Sequence, residues 1–319
     1  MSDQETGPAP FKRFPLAHTF SIVARDPDSG EMGVAVQSHW FSVGSIVTWA
    51  EAGAGVVATQ AFAEPSYGPL GLTLMRAGKS APAALAALLS ADANQEIRQV
   101  AMLDTTGRVA VHTGKRCIVH AGHEMGEGFS VQANMMADPG VWPAMAGAYR
   151  DANGNLAERM LAALEAGQAA GGDVRGQQSA AILVVRPVSS GRVWEDRLLD
   201  LRVEDHPHPI AELRRLVNIQ HAYQWMNQGD DFLGNGQIEQ ALNAYRRATS
   251  LAPDLDELPF WQAVTLAEIN HLDEALPIFR QVFRSDQRWI ELVRRLPAAG
   301  LLRPDEELLR RIIAAGAGD

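Results

Sequence analysis

The sequence has little cysteine, no long hydrophobic run and a deficit of positive charge. Its single cysteine, Cys117, cannot form a disulfide within the chain, and no apolar segment approaches the roughly 20 residues that span a membrane. The net charge is −10, so a nucleic-acid backbone would repel the chain. The first residues also lack the apolar core of a signal peptide. We therefore expect a soluble, cytoplasmic protein with no nucleic-acid or membrane partner.

The motifs of several catalytic centres are also missing. The sequence contains no GxSxG, P-loop, HExxH or CxxC, and "GAGVVA" after Glu51 lacks the complete GxGxxG pattern, so we expect no cofactor. In "HAGHE", His120 and His123 would point to opposite faces of an extended segment, and no third ligand follows at a suitable spacing. We therefore expect no metal site there. Cys117 is interpreted as a buried strand residue rather than a nucleophile.

The residues that are present predict two domains in this chain of 319 residues. The clearest element is a hairpin, because "TFSIVA" and "MGVAVQS" are β-branched runs on either side of the turn-forming "RDPDSGE". Antiparallel pairing would bring Thr19, which begins the first strand, close to Ser38 and His39 at the end of the second.

The remaining elements before residue 208 are grouped rather than alternating. A third strand in "GAGVVATQA" precedes a helix over residues 68–76, which ends at Gly78, and a second helix capped by Ser80. Strands follow in "EIRQVAMLDTTGRVAVHTG", then one strand and a glycine-rich segment in "CIVHAGHEMGEGFSVQANMMAD". A helix interrupted at Asn153–Gly154 comes next, and then the strands "GQQSAAILVV" and "WEDRLLDLRVEDH". This order favours an α+β fold.

The two His-Pro steps in "DHPHP" mark the boundary to a helical tail. The pattern around Ala241 and Tyr245 recurs 34 residues later around Ala275 and Phe279, which is typical of tetratricopeptide repeats over residues 222–255 and 256–289. Small residues at Ala241 and Ala275 predict close helix crossings, and "PDEELLRRIIAAGAGD" predicts a final capping helix. Two repeats bury little surface, so we expect the tail to pack on the first domain or a second subunit through Trp261, Phe283 and Trp289, and to bind a protein or peptide.

Five segments of the first domain resemble one bacterial family. The segments "TFSIVARDPDSGEMGVAVQSHWFSVGS", "WAEAGAGVVATQAFAEPSYGPLGL", "GEGFSVQANMM", "LAERMLAALEAG" and "GGDVRGQQSAAILVV" are similar to the family called domain of unknown function 1028, over about residues 19–205. That family is assigned to the N-terminal-nucleophile (Ntn) hydrolases, so the resemblance implies a four-layer αββα fold. We predict a leader over 1–18, an Ntn-hydrolase-like domain over 19–208 and a tetratricopeptide-like domain over 209–319.

The resemblance also implies a mechanism centred on Thr19. In an Ntn hydrolase the α-amine of the N-terminal residue activates its own hydroxyl, so the bond between His18 and Thr19 would have to be cut. Asn134, or the backbone amides of the "GEG" segment, would supply the donors for an oxyanion.

Further polar residues at predicted strand ends complete the candidate site. Ser38 and His39 would join Thr19, Asn134 and Asp173 as catalytic residues, and Glu51, Gln60 and Arg175 would bind the substrate. Each also has an ordinary structural interpretation: Thr19 as a strand residue, Asn134 as the cap of a bulge, Asp173 and Arg175 as a pair that closes a turn, and Glu51 as a solvated loop charge.

The sequence thus leads to two functional hypotheses. The first is hydrolysis of an amide in a small molecule or peptide by a homo-oligomeric enzyme. The second is a catalytically silent ligand-binding or assembly protein whose repeats bind a protein partner. Cleavage at Thr19 distinguishes them, because the enzyme requires a free amine and the binding protein does not.

Overall fold

The computed structural model describes residues 16–17 and 19–316. Its strands are β1 (Leu16–Ala17), β2 (Thr19–Arg25), β3 (Met32–Ser38), β4 (Thr48–Glu51), β5 (Gly55–Phe62), β6 (Arg98–Asp104), β7 (Val109–Thr113), β8 (Gly122–Gly126), β9 (Phe129–Ala133), β10 (Ser179–Val185) and β11 (Arg197–Val203). Its helices are α1 (Gly44–Val47), α2 (Tyr67–Arg76), α3 (Ala81–Ala91), α4 (Val141–Asp151), α5 (Leu156–Ala169), α6 (Val193–Asp196), α7 (Pro209–Gly234), α8 (Ile238–Leu251), α9 (Glu257–Glu268), α10 (Leu272–Ser285), α11 (Arg288–Arg295) and α12 (Glu306–Ala314).

The strands form two antiparallel sheets. The first sheet has the order β1-β5-β6-β7, and β4 also pairs with β5. The second sheet has the order β11-β10-β3-β2-β9-β8. The hairpin predicted from the sequence is confirmed, since β2 pairs with β3 from Thr19 opposite Ser38 to Arg25 opposite Met32. The two central strands of the second sheet therefore come from one local hairpin.

Three apolar clusters hold the first part of the chain together. The first cluster joins the facing sides of the two sheets, with Val34 and Leu103 among its buried members. The other two join a sheet to helices on its outer side: α2 and α3 pack on the first sheet, and α4 and α5 pack on the second. The two sheets thus face each other and each carries a helix pair outside. The predicted α+β class is confirmed in this coarse form.

Local sequence signals fix the ends of several helices. Gly78 has a φ of 86°, a left-handed conformation that ends α2, and the Ser80 hydroxyl accepts a hydrogen bond from Ala83 N at 3.3 Å to cap α3. Asn155 caps α5 in a capping box with Glu158, so the break predicted between α4 and α5 is confirmed. These ends match the sequence analysis because each depends on neighbouring residues.

The chain divides into two compact units, one up to Val217 and one from Asn218. In the second unit, α8 and α10 begin and end 34 residues apart, as the repeat requires. Ala241 and Ala275 are both buried in these helices. A Cβ on Gly229 in α7 would lie 2.5 Å from the Tyr245 ring, so helix α8 approaches closely there. The helical tail is confirmed.

The second unit has an apolar core of its own. Phe283 is buried in that core, Trp261 and Trp289 pack against it, and the rings of Phe260 and Trp289 lie 4.6 Å apart. The sequence analysis assigned Trp261, Phe283 and Trp289 to contacts outside the tail, but they contact their own unit. Helix α11, which the repeat pattern did not predict, provides part of this packing.

Several boundaries differ from those predicted. Most of the predicted leader, residues 1–15 and 18, lies outside the described residues, but Leu16–Ala17 form β1 and pair with β5. The predicted division at residue 208 coincides with the start of α7, whereas the compact units divide within that helix. The reason is that Ile210, Leu213 and Val217 are buried in the core of the first unit.

None of the helices in the described residues combines the length and the apolar composition that crossing a membrane would require.

Candidate functional site

The strand order of the second sheet brings Thr19, Ser38 and Asn134 to one end of it. Thr19 begins β2, Ser38 ends β3, and Asn134 directly follows β9. Because β2 lies between two antiparallel neighbours, its start meets both of their ends. Asn134 N donates to Thr19 O at 3.1 Å, and Asn134 Nδ2 donates to the same oxygen at 3.3 Å. The structure therefore brings together these three predicted residues.

Thr19 is completely buried where the chain passes from one sheet to the other. Ala17 belongs to β1 in the first sheet, whereas Thr19 begins β2 in the second. The exposed fraction of Thr19 is 0%, and its hydroxyl donates to Ala17 O at 2.7 Å. The Thr19 hydroxyl is thus bonded to the backbone two residues before it.

Thr19 lies beside a cluster of buried amide and hydroxyl side chains, which we call the amide cluster. Its members come from both sheets and are completely buried: Ser21, Gln60, Gln99, Gln132 and Asn134. None of them carries a charge, so they can only donate and accept hydrogen bonds.

Gln99 is the most connected member of the amide cluster. Its Nε2 donates to Thr113 Oγ1 at 2.9 Å, to Gly122 O at 3.1 Å and to Ala133 O at 2.9 Å. Its Oε1 accepts from Gln60 Nε2 at 2.7 Å and from Asn134 Nδ2 at 2.9 Å. Gln99 thus links the first sheet to β8, β9 and Asn134.

Gln60 connects the amide cluster to the main chain of Thr19. Its Nε2 lies 3.2 Å from Thr19 O, and its Oε1 accepts from Ser21 Oγ at 2.6 Å. Gln132 Nε2 donates in turn to Ser21 Oγ at 2.6 Å. Polar side chains from β5 and β9 therefore surround the first residues of β2.

Asp173 and His39 lie at the same end of the second sheet. Asp173 Oδ2 accepts from His39 N at 3.3 Å and from Arg175 at 2.7 Å, and the Asp173 side chain is buried. Met136, two residues after Asn134, forms a β-bridge with Asp173. The His39 ring contacts Gln177 O at 3.4 Å. Asp173 and Arg175 thus form the ion pair considered in the sequence analysis, close to the strand ends.

Unusual backbone conformations occur around this end of the sheets. Ala61, which follows Gln60, has a φ of 69°, and Met135, which follows Asn134, has a φ of 61°. His120, whose carbonyl accepts from Met136 N, has a φ of 43°. Non-glycine residues pay an energetic cost in this region, and such residues concentrate at functional sites. Three of the five non-glycine residues with a positive φ in the described part of the chain therefore lie here, whereas Ser42 follows β3 and Asn270 lies in the second unit.

Two parts of the predicted site, Glu51 and the amides of the "GEG" segment, lie away from Thr19. Glu51 pairs with Gly55 at the opposite end of β5 from Gln60, about 16 Å along the strand, and forms an exposed ion pair with Arg76 at 2.7 Å. The "GEG" segment forms the turn between β8 and β9, where Gly128 O accepts from Arg25 N at the far end of β2. Its amides therefore cannot serve Thr19, because antiparallel pairing places the turn at the other end of β9.

Cys117 and the two histidines have structural contacts. Cys117 lies in a bend rather than a strand, donates to Arg98 O at 3.3 Å, and has a pKa raised to about 11 by burial. His123 in β8 contacts Thr113 Oγ1 at 2.8 Å, whereas His120 contacts Met136 O at 3.1 Å. No group of three metal-ligating side chains with suitable geometry occurs in the part of the chain that the structure describes.

Sequence reasoning missed three members of the amide cluster: Ser21, Gln99 and Gln132. A usable signal was present, because each is a polar residue at an inward position of a strand that is otherwise buried. A buried polar residue requires a partner, so polar residues in such strands indicate a hydrogen-bonded interior.

The match to a protein family falls within the first unit. Residues 19–213 match the model of a family of unknown function, DUF1028. A crystal structure of a DUF1028 protein from Silicibacter pomeroyi is 31% identical to the chain, with a TM-score of 0.57, and the match covers 63% of this chain and 88% of that one. The search of curated proteins found no match.

Proposed function

The chain belongs to DUF1028, a family of unknown function, and we propose that its first unit is an amide hydrolase in which Thr19 acts as an N-terminal nucleophile after cleavage of the bond that precedes it. The observation that carries this proposal is the setting of Thr19: a buried hydroxyl at the start of a central strand, surrounded by amide groups from both sheets.

The need for a base supports cleavage. A threonine hydroxyl is a weak nucleophile unless a base accepts its proton. In the described residues the Thr19 hydroxyl donates to Ala17 O, and the Asp173 carboxylate is occupied by Arg175. The α-amine of a freed Thr19, with a pKa of about 8, would be adjacent to the hydroxyl and able to accept its proton.

The strand pairing is compatible with such a cut. Ala17 pairs with Ala61 in the first sheet, and Thr19 pairs with Ser38 in the second. Cleavage before Thr19 would sever a connection between sheets and leave both ladders of backbone hydrogen bonds intact. The folded unit would therefore lose little stability, and the new amine would remain at the end of β2.

The amide cluster would position the nucleophile. Asn134 and Gln60 donate to Thr19 O and fix the main chain of the reacting residue. Asn134 is also the candidate donor to the oxyanion, since its Nδ2 lies 3.3 Å from the carbonyl oxygen of Thr19. Ser38, which is opposite Thr19, would contact the new amine, while Asp173 with Arg175 would orient a polar group of the substrate.

The fold supports the same proposal. Two facing sheets with a helix pair on each outer side are compatible with the four-layer αββα sandwich that the resemblance to Ntn hydrolases implies. The second unit, with helix pairs repeated every 34 residues, fits a tetratricopeptide-like module that binds a protein or peptide.

A second candidate function is a catalytically silent ligand-binding or assembly protein. The observation that favours it is the complete burial of Thr19 within hydrogen bonds that already satisfy the amide cluster. In that case the chain would remain intact, and the polar interior would have only a structural role.

Intact-mass measurement of the purified protein tests the first proposal. We expect a fragment that begins at Thr19, with hydrolysis of small amides and dipeptides that increases with pH through about 8 as the amine loses its proton. Thr19→Ala should abolish cleavage and hydrolysis, whereas Thr19→Ser should retain both.

Thr48→Ala is the matched control, because Thr48 is a buried strand threonine whose hydroxyl also donates to a nearby carbonyl, Gly44 O, at 2.8 Å. This variant should be cleaved normally. An uncleaved wild type that hydrolyses amides would disprove the N-terminal mechanism, and an uncleaved wild type without activity would favour the binding protein.

A further inference from the structure

The helix pair α2 and α3 forms a pocket that is not part of the site around Thr19. The pocket has a volume of about 270 Å³. Its lining residues are Glu64, Ser66, Tyr67, Leu70, Leu88, Ala91 and Asp92. The lining thus combines apolar side chains with two carboxylates, and no lysine or arginine is among the lining residues.

The hydrogen-bonding groups of the pocket are mainly acceptors. The Tyr67 hydroxyl donates to Asp92 Oδ2 at 3.1 Å, so its proton is already used and its oxygen can only accept. Burial, followed by the charge of Asp92, raises the pKa of Tyr67, which keeps the phenol neutral. Glu64 contributes a second carboxylate. A ligand that complements these groups must donate hydrogen bonds.

The charges of the pocket leave a net negative group. Asp92 is balanced by Arg98 beneath it, whose Nε lies 2.9 Å from Asp92 Oδ2 and whose side chain is 2% exposed. Burial acts to raise the pKa of Asp92, but hydrogen bonds from Arg98 and Asn94 outweigh it, so the pKa is lowered and the carboxylate is ionised. Glu64 Oε1 accepts from Ser66 N at 3.3 Å, but no ion pair to Glu64 occurs in the described part of the chain, so its charge is not balanced there.

We propose that this pocket binds a small primary amine with an apolar body, in which the ammonium group contacts Glu64 and the Asp92–Tyr67 pair while the apolar part packs on Leu70 and Leu88. An ammonium group supplies three donors and one positive charge, which match the acceptors and the unbalanced carboxylate. Leu70 is 49% exposed in the free protein, so covering it adds hydrophobic stabilisation.

A titration with 2-phenylethylamine tests the proposal. Binding is monitored by calorimetry and by the NMR shifts of leucine methyl groups. We expect saturable binding that shifts Leu70 and Leu88 and weakens as ionic strength rises. The neutral analogue 2-phenylethanol and the anion 3-phenylpropionate should bind at least tenfold more weakly, because neither can make the charge-assisted contact.

Two variants test whether Glu64 contacts the ammonium group. Glu64→Gln keeps the shape and removes the charge, so it should weaken amine binding about tenfold or more. Glu239→Gln, which removes one exposed charge from the second unit, is the matched control and should leave the affinity unchanged. Circular dichroism verifies that both variants are folded. The proposal is overturned if the amine does not bind, if 2-phenylethanol binds equally well, or if Glu64→Gln has no effect.

Discussion

The space between the two sheets is filled in two different ways. One side is apolar, where Val34 and Leu183 of the second sheet face Val56 and Leu103 of the first. The other side holds the amide cluster, whose side chains are equally buried. Gln99 and Leu103 even lie on the same face of β6. The difference between the two sides is therefore one of chemistry and not of exposure.

The two sides differ in how much stability their side chains contribute. Apolar side chains stabilise a core by about 25 cal/mol per Å² that they bury, whereas a buried amide yields little net stability even when all its hydrogen bonds are made. An apolar filling would serve a purely structural interior as well. The amide cluster adjoins Thr19, and under the proposed function its polar character serves to position that residue.

Substitution by methionine on each of the two sides should give the largest difference in the free energy of unfolding. Gln99→Met keeps the length of the side chain but removes five hydrogen bonds, and it should lower the free energy of unfolding by about 3 kcal/mol or more, since each abandoned partner costs about 1 to 3 kcal/mol. Leu103→Met should cost less than about 1.5 kcal/mol.

Chemical denaturation of both variants provides the measurement. Equal destabilisation by the two substitutions would mean that the hydrogen bonds of Gln99 contribute nothing beyond its volume, and the distinction between the two sides would lose its energetic basis.

Gln37 should respond to the same substitution with the opposite sign. It lies on β3 and is completely buried, but neither its Oε1 nor its Nε2 has a hydrogen-bond partner among the described residues. Gln37→Met removes an amide that gains nothing in the folded state, so it should raise the free energy of unfolding by about 1 to 2 kcal/mol.

Gln99→Met serves as the matched control in the same denaturation experiment. Destabilisation by Gln37→Met would show that Gln37 bonds to ordered water or to a ligand, and would extend the functional polar interior to the outer side of the second sheet.

The smallest effect concerns acid stability, which should depend on carboxylates outside the amide cluster. Burial acts to raise the pKa of Asp104, but hydrogen bonds from Thr106, Ala81 and Arg108 outweigh it and lower the pKa. A carboxylate whose pKa is lower in the folded state stabilises the protein at pH values above its unfolded-state pKa of about 3.9. This contribution is lost as the pH falls through the folded-state pKa.

Asp104→Asn should therefore be less stable than wild type at pH 7, by no more than about 2 kcal/mol, and should lose less stability between pH 5 and pH 3. Gln99→Met should retain the pH dependence of wild type, because the amide cluster does not titrate. A changed pH dependence in Gln99→Met would contradict this separation.

The sequence predicted the elements whose signals are local. The hairpin of β2 and β3, the caps at Ser80 and Asn155, and the repeated helices α8 and α10 all depend on residues close together in the chain. It missed α1 and β4, which are short, and the β8–β9 hairpin, because that segment was predicted as a single strand followed by a glycine-rich stretch. Short elements are stabilised by the sheet they join, and that sheet is assembled from distant segments.

The candidate site was predicted only in part for the same reason. Thr19 and Ser38 were placed together because one hairpin joins them. Glu51 was grouped with Gln60 because both lie near ends of strands, but the register of β4 on β5 separates them. Whether two strand ends coincide is decided by the pairing register, which the alternation of residues does not specify.

The sequence by itself determined the strands and helices with strong local periodicity, the division into a sheet-rich and a helical part, and the position of Thr19 at the start of a strand. Only the tertiary structure decided which polar side chains surround that threonine. Gln60 and Gln99 are 39 residues apart in the chain, and Ser21 and Gln132 are 111 apart, yet both pairs are hydrogen-bonded. Such partners meet only when two sheets have been assembled in register and packed face to face, because a buried amide must find its partner across the interior rather than along the chain.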